Sequence, residues 1–125
     1  MEYKSAIKFC SKTLTAKERI KIKDTSNACK LDEATQDSSL VIKPDYYAIL
    51  SIHNEKAEQS DYDVYVVVDK NGTKFVTGSE SFYKAFSDIM EEMADAETDE
   101  EFDIEIYRLE SKNYKGKSFI TCSII

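Results

Sequence analysis

The sequence predicts a mostly β, α+β fold: a small antiparallel barrel of seven short strands, plugged or capped by one helix between the fifth and sixth. Two observations predict it. Residues 62–93 read as a strand, a tight turn, a return strand and an amphipathic helix in direct succession. The other apolar stretches are short, bounded by turn signals and ordered as consecutive hairpins, without the βαβ alternation of a parallel sheet.

Taken in order, lysines at 4, 8 and 12 recur every fourth residue beside Ile7 and the Tyr3/Phe9 pair. That spacing fits a short basic-faced helix, and a mobile arm over residues 1–16 fits equally. Thr15 can cap a short turn over Ala16–Glu18. Arg19–Lys23 alternates strictly, with Ile20 and Ile22 on one side and Arg19, Lys21 and Lys23 on the other. This reads as a half-buried strand presenting a row of cations. Residues 24–39 are polar and read as a long loop with room for one helical turn. Leu40–Ile42 is a short strand, Pro44-Asp45 a bend, Tyr46–His53 a long strand and Asn54–Asp61 a solvated connector.

Tyr62–Asp69 is almost entirely β-branched or aromatic, the composition of a buried strand. Asn71-Gly72 signals a type I′ hairpin, which needs positive φ at both central residues. Lys74–Thr77 is the return strand. Gly78-Ser79 stops it, and Ser79 is placed to N-cap the helix with Glu80 in the first turn. Phe82, Phe86, Ile89, Met90 and Met93 fall on one helical face, and Lys84, Asp88 and Glu92 elsewhere on the wheel. Residues 94–101 form an acidic linker. Phe102–Leu109 alternates, with Phe102, Ile104 and Ile106 inward and Asp103, Glu105 and Tyr107 outward. Lys112–Lys117 is a basic hairpin loop carrying Tyr114. In the last strand, Ser118–Ile125, Ile120, Cys122 and Ile124 share one face and Phe119, Thr121 and Ser123 the other.

At 125 residues and 42% hydrophobic content, the chain predicts one globular domain spanning 1–125. No apolar run approaches the ~18 residues of a membrane span, and the start lacks a secretory h-region, so a cytoplasmic protein without a membrane partner is expected. Cys10, Cys29 and Cys122 have no CxxC or metal spacing and read as reduced thiols packed as small hydrophobes. His53 is the sole histidine, so a zinc site or Cys-His pair has little material. No G-x-S-x-G, P-loop or H-E-x-x-H motif occurs; no catalytic site, metal or cofactor is expected. The net charge of −7 hides a distribution. Residues 1–30 hold eight Lys/Arg against three Asp/Glu, residues 31–110 six against twenty-one, and residues 111–125 three lysines and no acid. Basic ends on an acidic chain can still form a local positive face.

The informative pattern is aromatics interleaved with cations. Tyr107 adjoins Arg108, Tyr114 lies between Lys112 and Lys115–Lys117, and Phe119 points away from the inferred core. Tyr65 joins their face if Val64 and Val66 point inward. Each aromatic alone is explained by packing. Repeated on one sheet face, they suit base stacking, at ~1–3 kcal/mol per base, while cations track the backbone. On this reading Tyr65, Tyr107, Tyr114 and Phe119 stack, and Arg19, Lys21, Lys23, Lys115 and Lys117 contact phosphates. The expected ligand is a single-stranded nucleic acid, bound without reading its sequence.

The order YVVVDKNGTKFVTGSESFYKAFSDIMEE, then FDIEIYRLESKNYKGKSFITCSII, resembles the small single-stranded DNA-binding proteins of tailed bacteriophages infecting Gram-positive hosts. The shared features are a strand ending in D-x-N-G, an S-x-x-x-A-x-x-D-I helix, and an S-x-x-x-K-G-K-x-F hairpin before a final apolar strand, over roughly residues 62–125. The resemblance implies an OB-type barrel acting in phage DNA replication or recombination, in company with replication proteins. It assigns stacking to Tyr65, Tyr107 and Phe119 and basic loop positions to Lys115 and Lys117.

Two readings of other classes stand beside it. An acidic inhibitor could use Asp95–Glu105 with Asp61 and Asp63 to imitate nucleic acid on a host protein. An assembly protein could pair exposed edge strands between subunits as a homo-oligomer.

Overall fold

The computed structural model describes residues 3–56, 60–96, 101–110 and 117–125. In chain order its elements are β1 (Tyr3–Cys10), α1 (Ala16–Lys23), β2 (Cys29–Lys30), α2 (Leu31–Ala34), β3 (Leu40–Ile42), β4 (Pro44–Asn54), β5 (Asp61–Asp69), β6 (Lys74–Thr77), α3 (Glu80–Asp95), β7 (Ile104–Glu110) and β8 (Ser118–Ile124). The fold is mostly β with antiparallel sheets, as the sequence predicts. The strands do not close into a barrel. They form a five-stranded sheet, order β1-β4-β5-β6-β2, and a three-stranded sheet, order β3-β7-β8. The two-residue β2 pairs parallel with β6. Two units result: residues 1–30 with 45–78, and residues 31–44 with 79–125.

In the first unit, alternation sorts the long strands. Ala48, Leu50 and Ile52 of β4 and Val66 and Val68 of β5 form one buried face, joined by Ile22 of α1. Each Val, Leu or Ile among them contributes roughly 1.5–3 kcal/mol when fully buried. Two predicted elements are corrected here. Arg19–Lys23 is helical because Thr15 and Glu18 form a capping box: Glu18 N–H donates to Thr15 Oγ1 (3.2 Å) and Thr15 N–H to Glu18 Oε1 (3.0 Å). That bond, with the Thr15 hydroxyl, holds the Glu18 carboxyl below its ordinary value. The isoleucines that strand alternation would put together are split, Ile22 being 2% exposed and Ile20 72%. Residues 3–10 are neither helix nor arm but β1, paired antiparallel with β4. A four-residue repeat of lysines is compatible with period 2 as well as 3.6. Lys8 is the extra residue of a bulge between Ile7 and Phe9, and its Nζ reaches Asp63 Oδ2 at 2.9 Å.

The β5–β6 turn also differs from the two-residue form. Asp69 N–H donates to the Thr73 carbonyl and Gly72 N–H to the Asp69 carbonyl, both at 3.0 Å, so three residues lie in the loop. Gly72 takes φ +85°, which matches a type I turn closed by a left-handed residue. The Asp69 carboxylate selects this longer turn by accepting N–H bonds from Asn71 (3.0 Å) and Thr73 (2.9 Å).

In the second unit, Ser79 Oγ accepts the Phe82 N–H at 3.2 Å and starts α3, which runs through Asp95, into the stretch expected as linker. Phe82 and Phe86 are both 0% exposed and stack at 5.4 Å between centroids. Ile104, Ile106, Ile120 and Cys122 are buried on the sheet face beneath. Ser81 Oγ fastens α3 to β8 by donating to the Ile120 carbonyl (2.8 Å). Residues 31–34, within the polar stretch expected to hold one helical turn, form α2, which Arg108 holds. Its Nε donates to Thr35 Oγ1 (3.2 Å), Nη1 to Ser118 Oγ (3.1 Å) and Nη2 to the Asp32 carbonyl. The three cysteines are free; burial pushes the Cys122 thiol up to about 12, while Cys29 is exposed and not packed as expected. Among the described residues no helix is long and apolar enough to cross a membrane.

Candidate nucleic-acid interface

Register decides which side chains share the outer face of the three-stranded sheet. Ile106 pairs with Cys122 and Ile104 with Ile124, so the positions between them turn the other way. Tyr107 stands opposite Thr121, Leu109 opposite Phe119, Glu105 opposite Ser123, and on the far side Val41 opposite Glu105. These residues form one surface. Val41 (52%), Leu109 (45%) and Phe119 (38%) are among its exposed members, an apolar stretch on a sheet whose other face already carries the core.

Tyr107 and Phe119 are diagonal neighbours on adjacent strands, a separation of roughly 7–8 Å. The Tyr107 hydroxyl and Ser123 Oγ lie 2.7 Å apart. That bond draws the ring along β8 away from Phe119 and fixes its direction. Ser39 Oγ donates to Glu105 Oε2 at 3.0 Å, so the polar end of the face is also ordered. Sequence alternation identified Tyr107 and Phe119; Leu109 and Val41 went unnoticed because pairing, not period, puts them beside the aromatics.

The other predicted site residues are distributed differently. Tyr65 lies on β5 in the first unit and is only 9% exposed; with Val66 to Asp69 buried as well, β5 is covered on both faces and Tyr65 cannot present its ring. Tyr114 and Lys115 fall outside the described residues, and Lys117 is exposed just before β8. Arg108 is on the face opposite Tyr107, engaged in the α2 clasp. Arg19, Lys21 and Lys23 are exposed on α1. Helical geometry breaks their row: Arg19 and Lys23 are one turn apart, while Lys21 is about 200° around from Arg19.

Among the described residues, two concave features lie on the first unit. A cleft between α1 and the β5–β6 turn is lined by Glu18, Asp24, Asp45, Lys70 and Lys74 among others. Lys70 Nζ is 3.3 Å from Asp45 Oδ1, and Lys74 Nζ donates to the backbone carbonyls of Lys21 and Asp24 at 2.7 and 2.6 Å. A shallower hollow is lined by Lys4, Ser5, Ala6, Lys23, Ser51 and His53. No three His, Cys, Asp or Glu among the described residues are grouped to hold a metal ion.

His53 Nδ1 lies 2.7 Å from Asp61 Oδ1, and this hydrogen bond raises the imidazole above its ordinary value of 6.5. Any stability from the charged pair is fully present below the unfolded-state value and is lost as pH rises through the folded one. With a single histidine in the chain, proton NMR should give one ring titration with its midpoint above 6.5, moving down in Asp61→Asn. An unchanged midpoint in that variant would show that the pair does not form. No protein family, curated protein or solved structure matches the chain.

Proposed function

We propose that the chain is a non-catalytic single-stranded DNA-binding protein that stacks bases on the outer face of β3-β7-β8. The observation that carries this is the diagonal placement of Tyr107 and Phe119, flanked by exposed Leu109 and Val41, on a face the core does not use. Aromatic stacking tolerates any base, because every base has a π-face. Lys117, exposed just before β8 in the same unit, supplies a cation for phosphates; Arg19, Lys21 and Lys23 are exposed cations of the first unit. The order β5, β6, α3, β7, β8 follows the arrangement expected over 62–125. The open sheets weigh against a closed OB barrel. A place in phage DNA replication or recombination rests on that resemblance.

Fluorescence anisotropy of labelled oligo-dT and a matched duplex tests this. Binding to the single strand should be tighter than to the duplex and should weaken as salt rises, by a log–log slope of about −0.7 per phosphate contacted. No binding at tens of micromolar protein would remove the proposal.

One observation favours the acidic-mimic reading. Asp88, Glu91, Glu92 and Asp95 are exposed at the C-terminal end of α3, which has no basic residue in its last turn. Acids there oppose the helix dipole, so their retention fits an external cationic partner. Several other acids proposed for that role are locally paired: Asp63 with Lys8, Asp61 with His53, and Asp103 with Lys43 at 3.1 Å.

A further inference from the structure

We infer that the hollow on the first unit, formed where β1, β4 and α1 meet, binds a phosphate group through Lys4, Lys23 and His53. Sequence spacing could not bring these residues together. Lys4 and His53 are direct cross-strand partners in the β1–β4 ladder, and Ala6 and Ser51 are the next pair on the same face. Lys23, at the last position of α1, completes the rim. Two ammonium groups, an imidazole and the Ser51 hydroxyl therefore belong to residues lining one concavity, and none of its lining residues is acidic. Ala6 contributes only a methyl group, which leaves room for a tetrahedral oxyanion. Ammonium and imidazolium donors make charge-assisted hydrogen bonds to phosphate oxygens, stronger than neutral ones.

The surrounding charges set the pH dependence. Asp61 on β5 bonds His53 Nδ1, Glu55 lies 3.8 Å from Nε2, and Lys4 of β1 and Lys23 of α1 line the same hollow. The carboxylates favour the imidazolium, and an arriving phosphate dianion shifts the balance further toward the charged ring. Affinity should fall as pH rises through the His53 titration. The inference stands apart from base stacking, since it concerns the first unit and a phosphate group alone. That group can come from free phosphate or from the backbone of a nucleic acid.

His53, as the sole histidine, reports directly on the site. Its ring resonances would be followed by NMR at constant ionic strength while inorganic phosphate, and separately oligo-dT without terminal phosphates, replaces chloride. Saturable shifts with phosphate and an upward move of the His53 titration are expected. Lys23→Glu should weaken the interaction by about tenfold or more, and Lys4→Gln by less. Saturation with oligo-dT as well assigns the site to a nucleic-acid backbone; saturation with phosphate alone assigns it to a free or terminal phosphate. A linear response equal to that of chloride, or full affinity in Lys23→Glu, would overturn the inference.

Discussion

Phe82→Ala lowers the free energy of unfolding by about 3–5 kcal/mol. Phe82 is wholly buried, stacks on Phe86 at 5.4 Å and 16°, and has its own N–H bonded by the Ser79 cap. Removing the ring opens a cavity between helix and sheet where collapse is opposed by the Ser81–Ile120 tie on the same turn. Since whole domains are stable by only about 5–15 kcal/mol, the variant should show a markedly lower urea midpoint. Leu109→Ala, at a position 45% exposed, serves as the contrast and should stay within roughly 0.5 kcal/mol. A Phe82→Ala loss no greater than that would mean α3 is not seated on the sheet.

Tyr107→Ala and Phe119→Ala should each weaken single-stranded DNA binding by about 1–3 kcal/mol, some 5- to 150-fold. Being diagonal neighbours on one face, they touch consecutive parts of the same strand, so the double variant should depart from additivity. Tyr107→Phe separates ring from hydroxyl. It keeps the stacking surface, loses only the Ser123 bond, and should retain affinity within about threefold. Tyr65→Phe should leave binding unchanged, since that ring is enclosed. If the alanine variants bind normally while Arg19→Glu does not, cations and not stacking hold the DNA.

How much of this could be read in advance depended on how long each pattern ran. β4, β5, α3 and β8 declared themselves because period, composition and boundary residues agreed over seven or more positions. Arg19–Lys23 is only five residues long, too few to separate a strand from a helix, and the decisive signal was the Thr15/Glu18 pair just upstream. Tyr65 defeated a one-face rule because β5 is covered on both sides, which a nearly continuous apolar run such as VYVVV allows. Tyr107 and Phe119 were legible because β7 and β8 carry clean alternation. The phosphate hollow was not, because it depends on register: the pairing of Lys4 with His53 is a long-range fact that no local window contains.

The interleaving of the two units also governs how the molecule must assemble. Residues 31–44, made early, belong to a unit whose other segment begins at residue 79. Ser39 meets Glu105 across 66 residues and Asp32 meets Arg108 across 76. A growing chain can therefore complete the five-stranded sheet while α2 and β3 remain a loop with nothing to pair with. That loop closes only once β7 has been synthesised, and long-range closure of this kind is slow. Neither unit corresponds to a continuous stretch of sequence, so recombination or truncation at any single point severs at least one of them.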